Sequence, residues 1–134
     1  MTTSPVCWDL LARKTQSTVS KRQAEWTQAK QQVQQLQHSL QRMHQMYEEY
    51  RQQEQAPQAS QWDAQARLNH RQFMVQLLKV QERLERELQL ANLAAQQRTH
   101  ALSQAHAQLN KMNTLQDQQI QRQQAALADR EQVR

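Results

Sequence analysis

The chain has 134 residues, 37% hydrophobic and 22% charged, with 17 Lys and Arg against 12 Asp and Glu, a formal net charge of +5 and no glycine. Average usage of roughly 7% would supply about nine glycines. Without them the phosphate-cradling Walker and dinucleotide loops cannot be written, because those loops need backbone where a Cβ would clash, and folds of many short strands joined by tight turns are disfavoured. A mean hydropathy of −1.06 leaves too little apolar surface for a deep core. Thirty-one glutamines, with Ala, Leu, Arg and Glu, make up a composition suited to long helices.

In chain order, Ser4 followed by Pro5 reads as an N-cap and first helical position. The helix that follows is expected over residues 5–54. A turn is expected over 55–60, where Pro57 removes a donor and would clash with the preceding turn of a continuing helix. Ser60 with Asp63 three residues on resembles a capping box, so the second helix is expected over 61–132. The fold class is all-α: a long antiparallel two-helix coiled-coil hairpin, a single unit over 1–134, whose C-terminal helix overhangs. At 1.5 Å per residue the helices span roughly 75 Å and 105 Å. Cys7 is a lone thiol, no apolar stretch reads as a secretory leader, and no run approaches the ~20 apolar residues of a membrane span, all of which predicts a cytoplasmic protein.

Periodicity supplies the seam. Positions 26, 29, 33, 36, 40, 43, 47 and 50 alternate in steps of three and four, the heptad rhythm of a coiled coil. Downstream, Phe73, Leu77, Val80 and Leu84 continue it, and one extra four-residue step leads to Leu88, Ala91, Ala95, Arg98, Leu102, Ala105, Leu109 and Met112, which predicts a stutter. Folded back on itself, the chain is expected to set Met43 opposite Phe73, Leu40 opposite Leu77, Val33 opposite Leu84, Ala29 opposite Leu88 and Trp26 opposite Ala91. Toward the N-terminus Arg22 would meet Ala95 and Val19 would meet Arg98, so long basic side chains must snorkel and pairing should weaken. About 25 residues from near Asn110 onward are left without a partner, and an isolated helix this polar is marginal in water. That overhang and the basic residues near the N-terminus read as a surface completed by another protein.

Around the turn, Glu49-Tyr50-Arg51, then Trp62, then Leu68-Asn69-His70-Arg71-Gln72-Phe73 running into Leu77 and Val80 resemble the FliJ family of bacterial flagellar type III export. Identifiable residues extend from about Met43 to Leu84. The resemblance implies a coiled coil similar to the central stalk of rotary ATPases, whose terminal ends enter a hexameric export ATPase ring and promote its assembly. It further implies contact with the cytoplasmic domain of the export-gate membrane protein, escort of flagellar export chaperones, and a location peripheral to the inner membrane at the flagellar base. Carried over by position, Tyr50, Phe73, Leu77 and Val80 match the gate-binding surface, and Met43 and Met46 fall where the family has apolar or aromatic residues. Trp62, just after the turn and outside the best heptad frame, reads as a contact residue rather than core. The terminal ends place Arg13, Lys14, Lys21, Arg22, Ile120, Arg122 and Leu127 as candidates for the ATPase ring. The chain departs from the family at Leu84, often polar there, and in carrying little of the usual basic tail before Arg134, features that fit a divergent paralogue such as that of a lateral flagellar system.

Chemistry is sparse. His38, His44, His70, His100 and His106 form no H-E-x-x-H pattern and no i,i+4 pair, so no metal is expected. Glu82/Arg86 and Arg83/Glu87 read as solvated pairs worth a few tenths of a kcal/mol. No nucleophile has a base within reach, so neither enzyme activity nor a cofactor is expected. Basic residues are dispersed, with no continuous basic region, which disfavours nucleic acid. The chain alone is expected to be monomeric. The alternatives are an injectisome stalk and a generic coiled-coil scaffold.

Overall fold

A computed structural model describes Pro5–Val133, so Ser4, expected as an N-cap, lies outside the described residues. Two long helices pack against each other as an all-α hairpin: α1 (Pro5–Gln55) and α2 (Ala64–Val133), joined through a 3₁₀ helix at Pro57–Gln61. Five threonines sit inside these helices without breaking them, and four of them bond back to the helix. Thr15, Thr18, Thr27 and Thr114 each donate a hydroxyl hydrogen bond to the carbonyl four residues back, at 2.7–3.1 Å, a local satisfaction that offsets the low helix propensity of a β-branched side chain.

The link closes without any residue in the left-handed region; among the described residues none has positive φ. Ala56, held extended by the proline that follows it, leaves α1 at φ −71° and ψ 147°. Backbone hydrogen bonds from Ala56 to Gln53, from Ala59 to Ala56 and from Trp62 to Ala59 then carry the chain through the 3₁₀ turn, and Trp62 leaves it extended. The start of α2 departs from expectation. Ser60 Oγ turns back to donate to the Pro57 carbonyl at 2.8 Å, and the cap is Asp63, whose Oδ1 accepts from the Ala66 N–H at 2.7 Å. The helix therefore begins at Ala64 rather than 61.

The chain packs into two compact units, Gln28–Gln96 and Met1–Thr27 with Gln97–Arg134. In the first, Val33, Ala91 and Ala95 form a buried cluster flanked by Ala29, Leu36 and Leu88, and Met74, Leu77 and Leu84 are buried nearer the link. In the second, Val19 and Ala105 are buried.

Two expectations about the seam are corrected. First, the stutter is absent: burial on α2 runs through 70, 74, 77, 81, 84, 88, 91 and 95 in unbroken alternation. Met74 and Gln81 take the places expected of Phe73, which is exposed, and Val80, which is half-buried. Gln81 is admitted because its Nε2 donates to the Met43 carbonyl at 3.1 Å, so the amide is not buried unpaired. Second, the register is displaced by one heptad. Phe73 meets Tyr50 rather than Met43, Trp26 Nε1 donates to Thr99 Oγ1 at 2.9 Å rather than covering Ala91, and Arg98 reaches Glu25 rather than Val19. A seven-residue slip leaves every heptad position facing another heptad position, so periodicity cannot choose between the two alignments. The link chooses. Glu54 at the end of α1 faces His70, and the residues between them form a longer cap than a tight turn would.

Displacement also shortens the overhang. Gln116 Nε2 donates to Asp9 Oδ1 at 3.0 Å, so α2 stays engaged beyond Asn110, and the helical residues exposed at every position are 120–133. Toward the N-terminus α1 is helical from Pro5, with Val19 buried and the described positions before it exposed or half-buried.

Candidate interaction surface

Beside the link, the unit Gln28–Gln96 gathers its aromatic residues. Tyr50, on the last turns of α1, lies with its ring centroid 4.7 Å from Phe73 and 5.8 Å from His70. Trp62, positioned by the extended exit of the 3₁₀ turn, tilts over His70 at 4.9 Å. All the contacts are tilted, at 37–46° between planes, which suits the quadrupoles of neighbouring rings. His70 is the centre of this cluster. Its side chain is only 8% exposed and its Nε2 lies 3.2 Å from Glu54 Oε1, yet the two are misaligned for a hydrogen bond and the buried nitrogen has no other partner.

The residues expected to meet the export gate divide by exposure. Phe73 keeps 40% of its surface, whereas Leu77, 5% exposed, is seam and supports the surface from beneath. Met43, Met46, Tyr50, Trp62 and Val80 are half-buried. Tyr50 and Trp62 are thus brought together through His70, and Phe73 joins them through Tyr50; the sequence offered His70 only as one of five histidines without a ligand pattern. The missed signal was its place in the heptad, one step before Met74.

The other candidate set falls within the second unit. Arg13, Lys14, Lys21 and Arg122 are exposed, as are the apolar Ile120 and Leu127, the latter at 58%. Arg22 differs, because its Nη1 donates to Glu25 Oε2 at 3.0 Å. The same carboxylate oxygen accepts from Arg98 Nη1 at 3.2 Å, tying α1 to α2. The Arg22 hydrogen bond holds the Glu25 pKa below the usual carboxylate value; burial opposes this in part, and the charges of Arg22, Arg98 and Lys21 reinforce it. Of the two expected pairs on α2, Arg83 and Glu87 approach to 3.7 Å, and Glu82 and Arg86 form none among the described residues.

Among the described residues no group of His, Cys, Asp and Glu is arranged to hold a metal, and no helix is long and apolar enough to cross a membrane. Cys7 is a free, exposed thiol. No curated protein and no solved structure matches the chain. The family model for the flagellar FliJ protein matches residues 9–134, spanning both helices, the link and both candidate surfaces. The chain therefore belongs to the FliJ family.

Proposed function

We propose that this component of the flagellar export apparatus works as a non-enzymatic stalk, with its terminal unit seated in the hexameric export ATPase and its link region directed to the cytoplasmic domain of the export-gate protein. The observation that carries the reading is the exposed stretch 120–133, helical throughout and uncovered at every position. So polar a helix gains little from its own propensity, and a surrounding protein supplies what the fold does not. Ile120 and Leu127 are its apolar contacts there, and Arg13, Lys14, Lys21 and Arg122 its charged ones. A single stalk inside a six-fold ring touches unequal subunits, which favours ring assembly and sequential hydrolysis. At the link, the Tyr50–Phe73 pair offers a partly exposed aromatic centre, the composition favoured at interface hot spots, with Met46 and Val80 beside it and Trp62 across His70. Export chaperones are a second class of partner, and the working location is the cytoplasmic side of the inner membrane at the flagellar base.

Adding the full chain to the purified export ATPase is expected to raise ATP turnover under ring-forming conditions. Leu127→Ser should lose most of that stimulation while leaving helicity intact by circular dichroism. Unchanged turnover on adding the unsubstituted chain would falsify the stalk reading.

A further inference from the structure

Beside the aromatic cluster the link folds around a cleft of about 610 Å³ whose lining includes Pro57, Trp62, Arg67, His70 and Arg71, with Glu54 as its one acid. That volume lies in the range of sites that take several side-chain groups and is far larger than a bound ion needs. Its apolar part comes from Pro57 and Trp62, and its charge comes from α2. Arg67 and Arg71 are one helical turn apart and so share a face. Both are exposed, and neither forms an ion pair among the described residues. Of the nearby acids, Asp63 uses Oδ1 for the N-cap hydrogen bond from Ala66, and Glu54, which joins the cleft lining from α1, turns its Oε1 to within 3.2 Å of His70 Nε2 and ion-pairs with neither arginine. A second, independent mark of a site is His70 itself, a lining residue more than nine-tenths buried whose Nε2 lies 3.2 Å from Glu54 Oε1 yet makes no aligned hydrogen bond. A buried polar atom left without a partner carries a desolvation penalty that a ligand oxygen, or a shift of Glu54 induced by one, would relieve.

We propose that this cleft is a docking site for an acidic peptide segment of a partner protein, with carboxylates on the Arg67 and Arg71 guanidiniums and an adjacent aliphatic side chain against Trp62 and Pro57. The planar forks of two arginines fit carboxylates in the bidentate manner, and the apolar wall favours a peptide over a bare anion. The site goes beyond the stalk reading, and its failure leaves ATPase stimulation untouched.

The test is an NMR titration of the full chain with the capped hexapeptide acetyl-Ala-Leu-Asp-Glu-Leu-Ala-amide. Saturable shifts are expected at the Trp62 indole N–H and at the Arg67 and Arg71 side chains. A peptide with Asn and Gln in place of the acids should bind at least tenfold more weakly. Arg67→Glu combined with Arg71→Glu should abolish binding of the acidic peptide with helicity retained, and should gain binding of a counterpart carrying two lysines. Equal affinity for the amide peptide, shifts confined to Phe73 and Leu77, or no saturable shift overturns the proposal. So does arginine-dependent binding of phosphatidylglycerol vesicles without any response to the peptide, which assigns the cleft to a lipid surface.

Discussion

One carboxylate oxygen joins two arginines from different helices. Glu25 Oε2 serves Arg22, three residues back, and Arg98, 73 positions away. Because the folded-state pKa of Glu25 is lowered, its contribution is fully present above the unfolded carboxylate value and is lost as pH falls through the folded one. Glu25→Gln is therefore expected to remove a step from the stability profile of the protein below the ordinary carboxylate range. Urea denaturation at low salt across that range measures it, and since the group is partly solvated, added salt should shrink the difference. An unchanged profile would show that the tie adds nothing to stability. Arg22 was legible as a basic residue near the N-terminus, but its partner was not. Arg98 occupies a heptad position and reads as a snorkelling side chain, because the identity of a residue 73 positions away depends on a register that no local pattern contains.

At the scale of the element, α1 was legible almost throughout, since its heptads consist of residues that are apolar and also buried, such as Val19 and Val33. On α2 the same rule misleads at two adjacent pairs. Phe73 outranks Met74 and Val80 outranks Gln81 in apolarity, yet Met74 and Gln81 are the buried members. Choosing by apolarity there creates the false stutter. A buried amide has a further consequence, since a polar group at one seam position can specify alignment at some cost in stability. Gln81→Leu is thus expected to preserve or raise the melting temperature while admitting the alignment one heptad away. NMR cross-peaks between Phe73 and Met43 should appear beside those between Phe73 and Tyr50. A variant that keeps only the Tyr50 contacts would assign the register to the link alone. The link was legible in position, through Pro57, and illegible in form, because Ser60 and Asp63 are both credible caps and only hydrogen-bond geometry separates them.

The whole molecule has a thin interior. Its buried apolar residues include three alanines, and no large side chain among the described residues is completely covered. A core of this kind leaves little margin over the conformational entropy of ordering the chain, and anything that binds only the folded form then adds a visible share of stability. The melting temperature is accordingly expected to rise with the concentration of purified export ATPase, followed by circular dichroism of the mixture against its separate parts. No rise at saturating ATPase would mean that the ring does not hold the folded chain.

The chain reverses through extended Ala56, a 3₁₀ turn and extended Trp62, with no backbone angle that only glycine adopts comfortably. Apart from Pro57, which holds Ala56 extended, no position in the link is thereby reserved for one amino acid on conformational grounds. Side chains between Gln58 and Gln61 answer mainly to what they touch, and substitution there can alter recognition while the direction of the chain stays the same. The surface at the link can thus vary in sequence without the helices having to be rebuilt.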